Sequence, residues 1–216
     1  MNDLGDFNFI DYEVDEEYEK DLIKNREDFD RKFKERYDVL ESNIWTVKHI
    51  KKAAQKKGSQ ENVILWNVYG FINIIAFDLI SVGYNLVFED KRWQKIYFAR
   101  QVALIIVEAL KDIPEVLGKN YKQLFIGIDL ADGYVDELNK YKKELEKYKS
   151  LHLRKLYEIR INVSAHRDQD IDNQLAIISK MDPYAIIKAM TDFEAILRKI
   201  LDHLQKLLVY TVKPEE

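Results

Sequence analysis

The stretch from Asn62 to Phe88 reads NVILWNVYGFINIIAFDLISVGYNLVF and is the most apolar segment of the chain. It is long enough to cross a bilayer, for which about 20 apolar residues suffice. However, Asn67, Asp78 and Asn85 fall within about 20° of one another on a helix, and an Asp near the middle of a span is costly in lipid. We therefore predict a buried helix of a water-soluble core, with one polar stripe.

The composition extends this prediction to the whole chain. The 216 residues are 47% hydrophobic, which suits one sizeable core and excludes wholesale disorder. Only 7 Gly and 3 Pro are present, and Asp132-Gly133 is the single clear hairpin signal. We predict an all-α fold, an up-and-down bundle of about five long helices. An acidic irregular tail over 1–15 precedes a single helical domain over 16–212.

Helix boundaries follow from apolar periodicity and capping signals. Gly58 is expected to end the first helix, Ser59 to cap the second and Pro114 to end the third. Asp182 is expected to cap the last helix, with Pro183 at its first position. The predicted helices cover residues 16–57, 60–88, 92–113, 173–180 and 183–210, together with a helix that starts at 134 and runs into the segment 159–168. A connector with a short helical piece covers 114–133.

Charge and cysteine content indicate the cellular compartment and the partners to expect. Residues 1–30 carry a net charge of −9, so the rest of the chain carries +5 of the total −4. This acidic segment is interpreted as a solubility tail, or alternatively as a mask over a basic RNA-binding face between Lys140 and Arg167. The chain has no Cys, and its N-terminus lacks the basic and apolar regions of a secretory signal. We expect a cytoplasmic protein without a membrane partner.

Most familiar catalytic motifs are missing from the sequence. It contains no phosphate-binding Gly loop, no GxSxG and no HExxH. His49 and His203 are isolated, while His152 and His166 would lie about 21 Å apart along one helix, too far to share an ion. We therefore expect no metal site and no cofactor. No pair of carboxylates stands out, although 38 acidic residues leave a carboxylate-based hydrolase open.

A buried Arg within the third predicted helix needs an acidic partner. Arg100 is that residue, and Asp78 or Glu108 could supply the carboxylate. A structural ion pair is the expected role.

The fourth predicted helix has an apolar seam that leads to the segment IRINVSAHRD, Ile159 to Asp168. The seam follows a 3-4-3-4 spacing through Leu138, Tyr141, Leu145, Tyr148 and His152. In the same register, the next positions are Lys155, Ile159, Asn162 and His166. This change from apolar to polar residues predicts a role other than core packing at that end.

The polar residues of this segment have the chemistry needed to cleave RNA without a metal. Histidine exchanges a proton near neutral pH, and the guanidinium of arginine matches phosphate oxygens. The candidate residues are Arg160, Asn162, His166, Arg167 and Asp168. The simpler alternative is that Asn162 and His166, four residues apart, pair on one helix face.

The spacing of Arg160 and His166 resembles the R-x(4–6)-H signature of HEPN domains (higher eukaryotes and prokaryotes nucleotide-binding). The longer segment is similar to the abortive-infection branch of that family, and the helical layout agrees over roughly residues 60–210. The resemblance implies a helical bundle that forms a homodimer, in which the Arg and His of both chains meet in one cleft. It also implies metal-independent RNA cleavage in toxin–antitoxin, phage-defence or CRISPR systems, although some members are inactive scaffolds.

By this resemblance, Arg160 would hold the phosphate and His166 would act as acid or base, supported by Asn162, Arg167 and Asp168. The family often has a polar residue after the Arg, where this chain has Ile161. On an ideal helix, Arg160 and His166 would lie about 120° apart, so a distortion near Val163-Ser164 or a dimer partner is needed. Two functions stay open: a homodimeric ribonuclease restrained by an antitoxin or regulatory protein, and an inactive HEPN-like scaffold that binds a protein or nucleotide. An unrelated helical interaction protein is the third possibility.

Overall fold

The computed structural model describes residues 20, 24–118, 121, 131–161 and 169–211. Helices make up nearly all of these residues, and none of them forms a β-strand, so the all-α prediction is confirmed. The described helices are α1 (Arg26–Lys57), α2 (Gln60–Phe88), α3 (Arg92–Val116), α4 (Ala131–Ile159), α5 (Ile171–Ser179) and α6 (Pro183–Thr211). The predicted tail over 1–15 and most of the connector lie outside the described residues.

The five long helices run alternately up and down. The antiparallel pairing of α1 and α2 is visible at both ends, where Tyr84 donates to Asp30 and Lys51 donates to Asn67. The helices α4 and α6 are also antiparallel, since Lys199 near the middle of α6 reaches Glu144 while the Tyr148 hydroxyl donates to the Ala189 carbonyl. The short helix α5 precedes α6. The predicted up-and-down bundle is therefore confirmed.

The helix α2 forms the centre of the core, in contact with α1, α3 and α6. It is the one described helix that is long and apolar enough to cross a membrane, and just over half of its most apolar window is buried inside the bundle. A core helix has the same length and composition as a spanning helix, so these two properties do not separate the alternatives. Its polar stripe of Asn67, Asp78 and Asn85 is exposed at the surface.

The junction between α1 and α2 agrees with the predicted C-cap. Gly58 has a φ of 72°, and its N–H donates to the Gln55 carbonyl while the N–H of Ser59 donates to the Ala54 carbonyl. This pair of bonds is the Schellman motif, in which a left-handed residue closes the helix. Ser59 occupies the N-cap position of α2, as predicted, although its side chain makes no capping hydrogen bond.

The start of α6 agrees with its predicted cap. The Asp182 side chain accepts a hydrogen bond from the N–H of Tyr184, and Pro183 is the first residue of the helix. This arrangement satisfies a backbone donor that the first turn cannot pair internally.

The prediction that Pro114 ends the third helix is wrong. The helix α3 continues to Val116, and the N–H of Leu117 still donates to the Ile113 carbonyl at 2.9 Å. Proline removes the backbone bond that its own nitrogen would donate, and its ring crowds the carbonyl four residues before it. In the last turn this loss is small enough for the helix to continue past it.

A close approach of α1 and α2 gives a stability prediction. A Cβ added at Gly70 would lie 2.7 Å from the Cγ1 of Val47, whereas one added at Gly133 has nothing within 4 Å. Overpacking against a stiff β-branched side chain costs more than the helix propensity that alanine gains. We expect Gly70→Ala to lower the free energy of unfolding by about 1–2 kcal/mol, measured by urea denaturation.

The matched control is Gly133→Ala, which we expect to raise the free energy of unfolding by about 0.5–1 kcal/mol. Equal stabilisation by both substitutions would contradict the close contact of α1 with α2.

Candidate functional site

Arg160 is the one predicted site residue within the described part of the chain. It follows the last residue of α4, and the backbone has π-helical geometry at Arg160 and Ile161. Such geometry is rare and occurs frequently at functional sites. The predicted distortion near Val163-Ser164 lies outside the described residues. The remaining predicted residues lie outside the described residues, namely Asn162, His166, Arg167 and Asp168.

The guanidinium of Arg160 is held from two sides. Its Nε donates to Oε1 of Glu108 on α3 at 2.5 Å, and its charged carbon lies 5.9 Å from the centre of the Tyr157 ring. The Arg160 side chain is 21% exposed and that of Glu108 38%. Within the described residues the carboxylate of Glu108 engages only Nε, so this ion pair does not use the four donors of the Nη groups. The ion pair thus fixes the direction of the guanidinium without using all its donors.

Glu108 was one of the two predicted partners of the buried Arg100. The structure pairs Glu108 with Arg160 instead, across the contact of α3 with α4. The two residues are 52 positions apart, so no local spacing could indicate this pair.

Exposed aromatic side chains lie along the face of α3 that carries Glu108, and one lies beside Arg160. Trp93 and Tyr97 lie on the same side of α3 as Glu108, since the three fall within about 60° at 100° per residue. They are 51% and 47% exposed, and Tyr157 beside Arg160 is also 47% exposed. Large exposed aromatic groups are typical of surfaces that bind a partner or stack on nucleic-acid bases.

The interpretation of a seam that turns polar is wrong up to Ile159. Lys155, which the 3-4-3-4 spacing placed in the seam, is exposed, and Leu156 takes the buried position. A straight α-helix has 3.6 residues per turn rather than 3.5, so its buried face drifts relative to a strict seven-residue repeat. The apolar face therefore extends to Ile159, and the seam gives no evidence for a site at this end of the helix.

A second group of titratable side chains joins α4 to α6, and sequence reasoning missed it. His203 is fully buried, and its Nδ1 lies 3.1 Å from Oε2 of Glu137. The Tyr141 hydroxyl donates to the other oxygen of Glu137 at 2.7 Å. The rings of Tyr134 and Tyr141 each lie 5.7 Å from the His203 ring. Glu137 and His203 are 66 residues apart, so only the fold brings them together.

The surroundings of Glu137 and His203 lower the pKa of both side chains. Hydrogen bonds from Tyr141 and His203 hold the pKa of Glu137 at about 2. Burial lowers the pKa of His203, against the smaller opposing effect of Glu137. The Nε2 atom of His203 is buried and has no hydrogen-bond partner. His203 is therefore a neutral structural side chain in the folded protein.

This ionisation predicts a loss of stability in mild acid. An unfolded histidine gains a proton as the pH falls through about 6.5, whereas the pKa of folded His203 lies lower. The free energy of unfolding should therefore fall by up to about 1 kcal/mol per pH unit below 6.5. Urea denaturation between pH 7.5 and 5.5 measures the slope, which we expect His203→Gln to reduce.

The exposed His49 on α1 provides the control for this experiment. His49→Gln should keep the wild-type slope. An unchanged slope in His203→Gln would contradict the buried neutral state of that side chain.

The chain matches no family model, no curated protein and no solved structure. Within the described residues, no group of three or more His, Asp or Glu side chains is placed to hold a metal ion. The relation to HEPN domains is therefore carried by the segment from Ile159 to Asp168 and stays a prediction.

Proposed function

We propose that this protein is a metal-independent endoribonuclease of the HEPN type, acting as a cytoplasmic homodimer in a toxin–antitoxin or phage-defence system. The observation that carries the proposal is the arrangement of Arg160. This first residue of the R-x(5)-H motif is partly exposed directly after α4, and Glu108 directs its guanidinium through Nε without engaging the Nη groups.

The proposed reaction is an internal transfer of the phosphoryl group of RNA. The 2′-oxygen forms a bond to phosphorus and the bond to the 5′-oxygen breaks, which yields a 2′,3′-cyclic phosphate and a 5′-hydroxyl. His166 of one protomer takes the proton of the 2′-hydroxyl, and the partner's His166 protonates the 5′-oxygen. The Nη groups of Arg160 donate to the phosphate oxygens as negative charge builds on them.

Glu108 acts in this proposal as a positioning residue. An arginine with free rotamers loses entropy when it binds a phosphate, and a carboxylate at Nε reduces that loss by fixing the side chain beforehand. The pair is partly exposed, so it contributes little to overall stability. Its expected effect is on the rate of cleavage.

The exposed aromatic residues support the dimer and the RNA partner. Tyr157 offers apolar area beside the ion pair of Arg160 with Glu108, and Trp93 and Tyr97 extend the exposed apolar area along the same face of α3, about 16–22 Å from Glu108. Burial of these rings between two protomers would bring two copies of the motif close together, as a composite cleft requires. Rings left uncovered would stack on the bases of single-stranded RNA.

An inactive HEPN-like scaffold is the second candidate function. The same ion pair favours it, because Glu108 compensates the charge of Arg160 and ties α3 to α4. In that case Arg160 is a structural clamp, and the exposed aromatic surface binds a protein or a nucleotide.

Cleavage of RNA in a chelator separates the two candidates. We expect the purified protein to cut single-stranded RNA in EDTA, and to sediment as a dimer at the concentrations that cut. Folded protein that leaves RNA intact at concentrations where it is dimeric would exclude the ribonuclease and favour the scaffold.

A further inference from the structure

A cavity separate from Arg160 lies between α1, α2 and α6. Its volume is about 210 Å³. Apolar side chains form most of its wall, namely Phe29, Phe33, Leu79, Ile80 and Met190. Pockets for drug-sized molecules are typically about 300–1,000 Å³, so this one suits a smaller ligand.

The rim of this cavity is positively charged. It contains Lys32, Arg36 and Arg198 against a single carboxylate, Glu194. That carboxylate is shared, since it accepts from the Nε of Arg36 at 3.1 Å and from the Nε of Arg198 at 2.6 Å. Lys32 also pairs with Asp28 at 2.6 Å, and Asp28 is shared with Arg31, so the rim carries a small positive surplus.

Arg36 adds a specific signal for an anion. Its side chain is 17% exposed, and its Nη2 is buried and has no hydrogen-bond partner among the residues that the structure describes. An unsatisfied buried donor costs free energy, more so when it carries charge. A carboxylate is the acceptor that matches an arginine fork in charge and geometry.

We propose that this cavity binds a small amphipathic carboxylate, with its apolar part against Phe33 and Ile80 and its carboxylate at Arg36. A purely ionic ligand such as free phosphate would leave the apolar wall without a partner. A neutral ligand would leave the cationic rim without one. A ligand with both an apolar part and a carboxylate therefore matches the cavity best. The site shares no residue with the proposed ribonuclease centre, so it stands or falls independently of that function.

Titration of the full chain with octanoate tests the proposal by calorimetry, with 1-octanol and inorganic phosphate as matched probes. We expect one octanoate per chain, and binding of either matched probe at least about 10-fold weaker, because each lacks one of the two features. Octanol or phosphate that binds as tightly as octanoate, or octanoate that does not bind at millimolar concentration, would overturn the assignment.

Variants locate the site on the chain. We expect Arg36→Met to weaken octanoate binding at least about 10-fold by removing a charge-assisted pair. Because Arg36 is largely buried, the double variant Lys32→Gln/Arg198→Gln tests the same rim at exposed positions where folding is not at risk. It should weaken binding several-fold, and Lys52→Gln, an exposed position on α1 outside the cavity, should not. Wild-type affinity in the double variant would place the ligand elsewhere.

Discussion

The His166→Ala variant is expected to cut single-stranded RNA at least about 100-fold more slowly than the wild-type protein, since a positioned acid–base group contributes about 10²–10⁴-fold to such reactions. In the proposed dimer, the substitution removes both the base that accepts the 2′-proton and the acid that protonates the leaving oxygen. The initial rate on a fluorescent RNA at pH 7 in EDTA measures the loss.

His49→Ala is the control for His166→Ala. His49 is exposed on α1, where its ring lies 6.4 Å from that of Trp45, and it should have no part in cleavage. Urea denaturation of both variants establishes that they fold. Cleavage that persists in folded His166→Ala would remove the assignment of this residue.

A second large effect is expected at Arg160. Loss of one preorganised donor to a charged transition state slows related reactions by about 10²–10³-fold, and we expect Arg160→Ala to fall in that range. Lysine should not restore the rate, because it presents one point charge in place of a directed fork. Arg154→Ala, an exposed position on the same helix, is the matched control.

Glu108→Gln tests how Arg160 is positioned. An amide still accepts from Nε but provides no charge, so we expect a smaller loss in cleavage rate, about 10-fold. A rate above the wild-type value would show that the carboxylate competes with the phosphate for Arg160, contrary to the positioning role.

Full cleavage activity in Arg160→Ala would show that Arg160 has no part in the mechanism.

The fold was largely predictable because its signals are local. Apolar periodicity predicted α2 and α6 closely, and Gly58 and Asp182 marked helix ends through backbone geometry that each residue favours. The errors have local causes as well. Pro114 lies so near the end of α3 that its missing hydrogen bond matters little, and a strict seven-residue repeat put Lys155 in the place of Leu156.

Only those residues of the candidate site that lie within one continuous sequence motif could be predicted. The segment around Arg160 could be recognised by spacing, whereas its partner Glu108 is distant in sequence and belongs to another helix. The pair of His203 with Glu137 was missed for the same reason. Contacts between helices depend on how the helices dock, and no single-helix pattern encodes that.

The ends of the RNA products test the central claim most directly. Attack by the 2′-oxygen leaves a 2′,3′-cyclic phosphate on one fragment and a 5′-hydroxyl on the other, and it needs a 2′-hydroxyl at the cut position. We expect mass spectrometry of fragments produced in EDTA to find these two ends, and a 2′-deoxy substitution at the cut position to block cleavage there. Fragments with a 5′-phosphate and a 3′-hydroxyl, or cleavage at the 2′-deoxy position, would contradict the account.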